Sequence, residues 1–242
     1  MAPRLTTIDA SEPLDRILEA IARDGGVIVS NFLEPELLND SMRAIEPFFS
    51  GGKMYDPKSA QKDLGDDFFP EGSQRAYDDV NYGTGSLHDP KNPLFTPMVG
   101  CLIAGSRATY KNGATAVIPG SHLWGPDRAP KVEECTYAEM EPGSALFTLG
   151  TTYHGGGTNQ CQKTDPDAVR TLFAIFGQRD FYRQDQQEIL STPIETARSF
   201  PDDILKLTGY YKAVGGVGFI GDHQDPVELL HVDTNGVGKF SK

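Results

Sequence analysis

Cysteine is scarce in this chain: Cys101, Cys135 and Cys161 are the three among 242 residues. Their number is odd and none stands in C-x-x-C spacing. A disulfide framework and a cysteine zinc site are therefore not expected, and the three fit reduced thiols of an intracellular protein. Positive charge is also short, with 22 Lys and Arg against 34 Asp and Glu and a formal net charge of −12. A phosphate backbone needs a Lys/Arg surface, so no nucleic-acid partner is expected. The same balance argues against an anionic membrane and serves solubility. No run approaches the roughly 20 apolar residues of a membrane span. The stretch MAPRLTTIDASEPLDR holds no apolar core, so no secretory signal is expected there and the location expected is cytoplasmic.

Glycine and proline, by contrast, are plentiful, at 26 and 17. That load favours many turns and a strand-rich fold. EPLDRILEAIARDGG places Leu14, Ile17, Leu18 and Ile21 at helical spacing and stops at Gly25-Gly26. VIVSNFL alternates and is β-branched, hence a strand. EPELLNDSMRAIEPFF is a second amphipathic helix, with Leu37, Leu38, Met42 and Ile45 on one face. Residues 51–92 carry Gly, Pro, Asp and Tyr without periodicity and suggest loops. Strands follow at MVGCLIAGS, at GATAVIPGSH after a Lys111-Asn112-Gly113 hairpin turn, on both sides of a Pro-Gly turn in TYAEMEPGSALFTLGTTYH, and at VRTLFAIFGQRDF. PDDILKLTGYY gives a short helix near the end. One domain over residues 1–242 is expected, mainly β, a jelly roll with the N-terminal helices packed outside one sheet.

The chemistry concentrates around LFTLGTTYHGGGTNQ. His154 ends an apolar strand and three glycines follow. Arg170 opens the next strand, with Leu172, Ala174 and Phe176 on its face. If those strands pair antiparallel, His154 and Arg170 sit at one end of the sheet and face one cavity. An imidazole and a guanidinium there suit a metal and a carboxylate co-ligand, because Arg binds carboxylates bidentately. The glycines leave room for a ligand near the backbone. The alternative is a satisfied core histidine and a surface arginine.

DGGVIVSNFLEPELL, NGATAVIPGSHLW, EMEPGSALFTLGTTYHGGGTN and RTLFAIFGQRDFYRQDQQEIL together resemble the phytanoyl-CoA dioxygenase family, and within it the fungal biosynthetic members that oxidise meroterpenoids and alkaloids. GYYKAVGGVGFIGDHQDP is similar to that group as well. The resemblance implies a double-stranded β-helix that binds Fe(II) and the cosubstrate 2-oxoglutarate. It implies His154 as the distal iron ligand, Arg170 as the holder of the far 2-oxoglutarate carboxylate, and Thr115 as a residue facing the cosubstrate. A facial triad leaves three iron positions open, two for 2-oxoglutarate and one for O₂. The substrate implied is a small apolar polycyclic natural product. Pairing of subunits is implied too, as a homodimer or as a heterodimer with a family homologue.

One part of the family pattern is missing. Its first two iron ligands form a His-x-Asp pair, and no His-x-Asp occurs in this chain. GSQRAYDDVNYG stands in its place. Aligned on the double Asp, Asp78 takes the carboxylate position, Ala76 that of the histidine, and Gln74 lies on the cosubstrate side. Aligned on Gln74 instead, Tyr77 and Asp79 take those positions. The family normally carries several dozen residues between FFPEGSQRA and the ligand pair. A gap at Tyr77–Asp78 is therefore expected, and as written the chain supplies at most His154 and one carboxylate to iron. His88 has its Asp adjacent rather than two away, and adjacent strand residues face opposite sides, so it is a loop histidine. His122 is expected to hydrogen-bond at the sheet end, His223 and His231 to be exposed, Arg183 to make an ion pair, and Trp124 to lie in the core. A member without iron, serving as structural partner of an active homologue, is the alternative function.

Overall fold

The N-terminal helix α1 (Leu14–Asp24) ends at Gly25, whose φ of 75° is left-handed and whose N–H caps the Ile21 carbonyl. Glycine is required there twice over. The conformation strains any L side chain, and a Cβ would stand 2.4 Å from Thr152 Oγ1 and 2.5 Å from His122 Nδ1. The structure is a computed structural model that describes residues 4–49, 96, 98–125, 128–162, 164–180, 182 and 188–231. Before α1 lies a short strand, β1 (Thr7–Asp9), that the sequence pattern did not reveal. After it come β2 (Gly26–Ser30) and the helix α2 (Pro35–Phe49).

Among the described residues six further strands follow: β3 (Met98–Ala104), β4 (Ala116–Val117), β5 (Thr136–Tyr137), β6 (Ala145–Leu149), β7 (His154–Gly155) and β8 (Leu172–Gln178). They form two sheets. One has the order β1-β2-β6-β3-β8, the other β5-β4-β7. β1 and β2 run parallel, and β2 with β6, β3 with β6, and β4 with both its neighbours run antiparallel. The register sets Ile28, Leu146 and Leu102 in one row across the larger sheet. That row belongs to a core shared with Val117 and Ala138 of the smaller sheet, so the two sheets pack face to face. The opposite face of the larger sheet carries Val27, Val29 and Phe147. These bury Ala20, Ile17 and Ile21 of α1, which places that helix outside the sandwich, as its apolar stripe requires.

One expectation needs correction. The Lys111-Asn112-Gly113 turn does form, with Gly113 at φ 86°. It does not make a hairpin, because β3 and β4 belong to different sheets. The Pro142-Gly143 turn likewise carries the chain from β5 in one sheet to β6 in the other. Turn chemistry fixes the local reversal; the choice of partner strand is made by the buried faces.

The chain divides into two compact units, Met1–Gly177 and Gln178–Lys242. In the second, α3 (Glu188–Ser191), α4 (Ile194–Arg198) and α5 (Asp202–Leu207) surround a small core of Ala197, Leu205, Tyr210 and Leu230. Among the described residues no helix is long and apolar enough to cross a membrane.

Candidate functional site

His154 stands directly opposite Val117 in the β4–β7 pair. Directly paired residues share a face of the sheet, and Val117 lies in the core between the sheets. The imidazole is therefore on the inner face of the smaller sheet. Its Nδ1 lies 2.8 Å from the Thr152 carbonyl oxygen. A carbonyl only accepts, so Nδ1 carries a proton, and in the neutral ring Nε2 is the nitrogen with the lone pair. This is how a metal-binding histidine is commonly oriented.

Arg170 lies two residues before β8, the last strand of the larger sheet among the described residues. Leu172 packs on the shared core, whereas Thr171 and Phe173 both stand beside Gly105 together with Met42 of α2. Arg170 is half-buried, and its buried Nη1 has no hydrogen-bond partner among the described residues. Burial alone pushes its pKa down, yet arginine stays charged. A buried, charged, unsatisfied donor calls for an anion.

The sequence set His154 and Arg170 on neighbouring strands of one sheet. The structure corrects this: β7 and β8 lie in different sheets. His154 belongs to the smaller sheet, and Arg170 leads into β8 of the larger one. Thr115 is 3% exposed and, two residues from Val117, falls on the same inner face. Gly113 and Gly157 meet at this end. A Cβ on Gly157 would lie 2.5 Å from the Ala114 carbonyl oxygen, and one on Gly113 2.5 Å from that of Gly157. Gly156 touches nothing within 4 Å, so of the glycines after His154 it is Gly157 that close packing demands.

Gln74, Asp78, Ala76, Tyr77, Asp79, His88 and Arg183 lie outside the described residues, as does the Tyr77–Asp78 join. Among the described residues no three His, Cys, Asp or Glu side chains gather as a metal site. His122 is a structural residue, as expected. It is 4% exposed and its Nε2 is 3.0 Å from the Ala22 carbonyl oxygen. His223 is exposed, also as expected. Trp124 is only partly buried, against Tyr153, with the Arg128 guanidinium 3.5 Å above its ring. The sequence pattern did not single out Ser106, Asn112 or Asn159. Their signal was the Asn-Gly and Thr-Asn pairs beside the site residues.

Residues 78–164 match the family model described as Phytanoyl-CoA dioxygenase (PhyH). Over that segment the chain is similar to the phytanoyl-CoA dioxygenase family. It is 43% identical over 133 residues to the dioxygenase swnH1 of Metarhizium robertsii, a match covering 55% of this chain and 42% of that protein. It is 27% identical over 291 aligned positions to the dioxygenase swnH2 of Arthroderma benhamiae, covering 95% of this chain and 91% of that one. The matched segment thus spans less than half of swnH1. The alignment with swnH2 is longer than this 242-residue chain, so swnH2 carries several dozen residues with no counterpart here. A crystal structure of the epimerase SnoN in complex with Fe3+, alpha ketoglutarate and nogalamycin RO covers 74% of this chain and 90% of its own, at 14% identity and a TM-score of 0.45.

Proposed function

We propose that the protein is an Fe(II)- and 2-oxoglutarate-dependent dioxygenase of fungal secondary metabolism, acting on a small apolar polycyclic product such as a meroterpenoid or alkaloid. The two facing sheets are then the halves of a double-stranded β-helix. What supports the reading is His154 on the inner face of the smaller sheet, together with Arg170, whose buried Nη1 has no partner among the described residues. Nε2 of His154 is the nitrogen left to bind a metal, and Nη1 of Arg170 is a buried cation in want of an anion. Among the described residues, His154 fits a metal and Arg170 fits a carboxylate.

On this reading His154 holds iron with Asp78, and Arg170 binds the far carboxylate of 2-oxoglutarate. Thr115 and Gln74 face the cosubstrate. Iron in such a site supplies O₂ activation, with one oxygen atom ending in succinate as CO₂ leaves and the other used on the substrate. The chain's own contribution is placement. The Thr152 carbonyl fixes the tautomer of His154, Arg170 orients the dicarboxylate, and the apolar core around Val117 and Leu172 keeps water from the inner face.

A second reading rests on the missing His-x-Asp pair: a subunit without iron that stabilises an active homologue. Anaerobic loading with Fe(II) and 2-oxoglutarate, followed by O₂, separates the two. The dioxygenase reading expects succinate that depends on iron and disappears in His154→Ala. No succinate and no iron uptake, with a stable complex on co-expression with a family homologue, would favour the partner subunit.

A further inference from the structure

Three successive carbonyls lead the chain into Arg170, and each is held by a different side chain. Asp167 O accepts from Asn112 Nδ2 at 3.0 Å, Ala168 O from Asn159 Nδ2 at 2.7 Å, and Val169 O from Ser106 Oγ at 3.4 Å. Just beyond Arg170, the Thr171 N–H donates to Ser106 Oγ at 2.8 Å, and its carbonyl accepts from the Gly105 and Ser106 N–H groups. This stretch precedes β8, so no ladder partner is required to satisfy it. Side chains do so instead.

The anchors are themselves held. Asn112 is 1% exposed. Its other amide hydrogen goes to the Arg107 carbonyl at 2.9 Å, and its Oδ1 accepts the Thr109 N–H at 2.8 Å. Each strong bond of the amide is used, so the side chain has one orientation. Asn159 stands five residues beyond His154 on the same connection, and its Oδ1 accepts the Cys161 N–H at 2.9 Å. The Lys111–Asp165 ion pair and the Gln160 N–H to Lys111 carbonyl bond close the loop against the 110–113 turn.

We infer that Asn112, Asn159 and Ser106 form a side-chain cradle that positions Arg170, and so set the preference of the site for a dicarboxylate over a monocarboxylate. They are positioning residues, since none is required to touch the ligand. An arginine recognises a carboxylate through a planar fork whose worth depends on being held in place. Without the cradle the backbone at residues 167–171 gains freedom, and the guanidinium must be ordered on binding. The inference rests on the dicarboxylate reading of Arg170 given above.

The test compares N-oxalylglycine, an inert dicarboxylate, with oxamate, its monocarboxylate counterpart, by calorimetry on the full chain with Mn(II). Asn159→Ala and Ser106→Ala are near the surface and leave the core intact; Asn112→Ala is the stronger but buried change. Each of the first two should lower the ratio of N-oxalylglycine to oxamate affinity by about tenfold, towards that of Arg170→Ala, with oxamate binding little changed. Ser106→Thr, which keeps the hydroxyl, should retain the ratio. A merely structural role would weaken both ligands alike. An unchanged ratio in Asn159→Ala and Ser106→Ala, alongside collapse in Arg170→Ala, overturns the cradle alone. No preference in the parent chain, and none lost in Arg170→Ala, overturns the dicarboxylate reading and the cradle with it.

Discussion

His154 and Arg170 illustrate how far single residues were legible. The inner-face position of His154 shows in its pairing with Val117. Their assignment to two different sheets was not legible, since strand order is a long-range property that neighbouring residues do not encode. The proton on His154 was also invisible, because it is set by the Thr152 carbonyl. Asp9 provides a prediction at this scale. Bonds from the Ser11 hydroxyl and N–H and from Asn31 Nδ2 draw its carboxyl down from 3.8 to about 2. A folded pKa below the unfolded one adds stability above the unfolded value and loses it as pH falls through the folded one. The melting temperature should therefore drop more steeply between pH 4 and 2 in the parent than in Asp9→Asn. Equal slopes would show that these bonds do not persist in solution.

Among the elements, the two long helices and β2, β3 and β6 were legible because each has an apolar face long enough to leave a period, and β8 because its run of apolar residues is long. β4, β5 and β7 have two residues each. At that length alternation carries no signal, and only the sheet defines them. The Gly113–Gly157 contact joins the β4 entrance to the loop after β7, which gives the second prediction. Gly157→Ala sets a Cβ against backbone at 2.5 Å and should cost about 1–3 kcal/mol of strain, read as a lower melting temperature. Gly156→Ala, with open space around it, should be near neutral. Leu146, fully buried in the row with Ile28 and Leu102, should lose about 2–5 kcal/mol on truncation to Ala, measured by urea unfolding.

At the scale of the whole molecule, the larger sheet ends at β8, where Ile175 is 59% and Phe176 47% exposed although they alternate across its two faces. An apolar edge of this kind is ordinarily covered. The family match begins at Asp78, and swnH2 carries several dozen residues that this chain lacks. Both agree with a segment missing before Asp78. We expect the transcript read across codons 77 and 78 to contain additional coding sequence there; an uninterrupted junction would instead favour the partner-subunit reading. The central claim is that His154 and Arg170 form a single site for a metal and 2-oxoglutarate. Its most direct test is anaerobic calorimetry of 2-oxoglutarate into the chain with Fe(II). Saturable binding of one molecule per chain is predicted, weakened at least about tenfold in Arg170→Ala and dependent on metal only while His154 is present. Binding that is indifferent to both residues, or to iron, would contradict it.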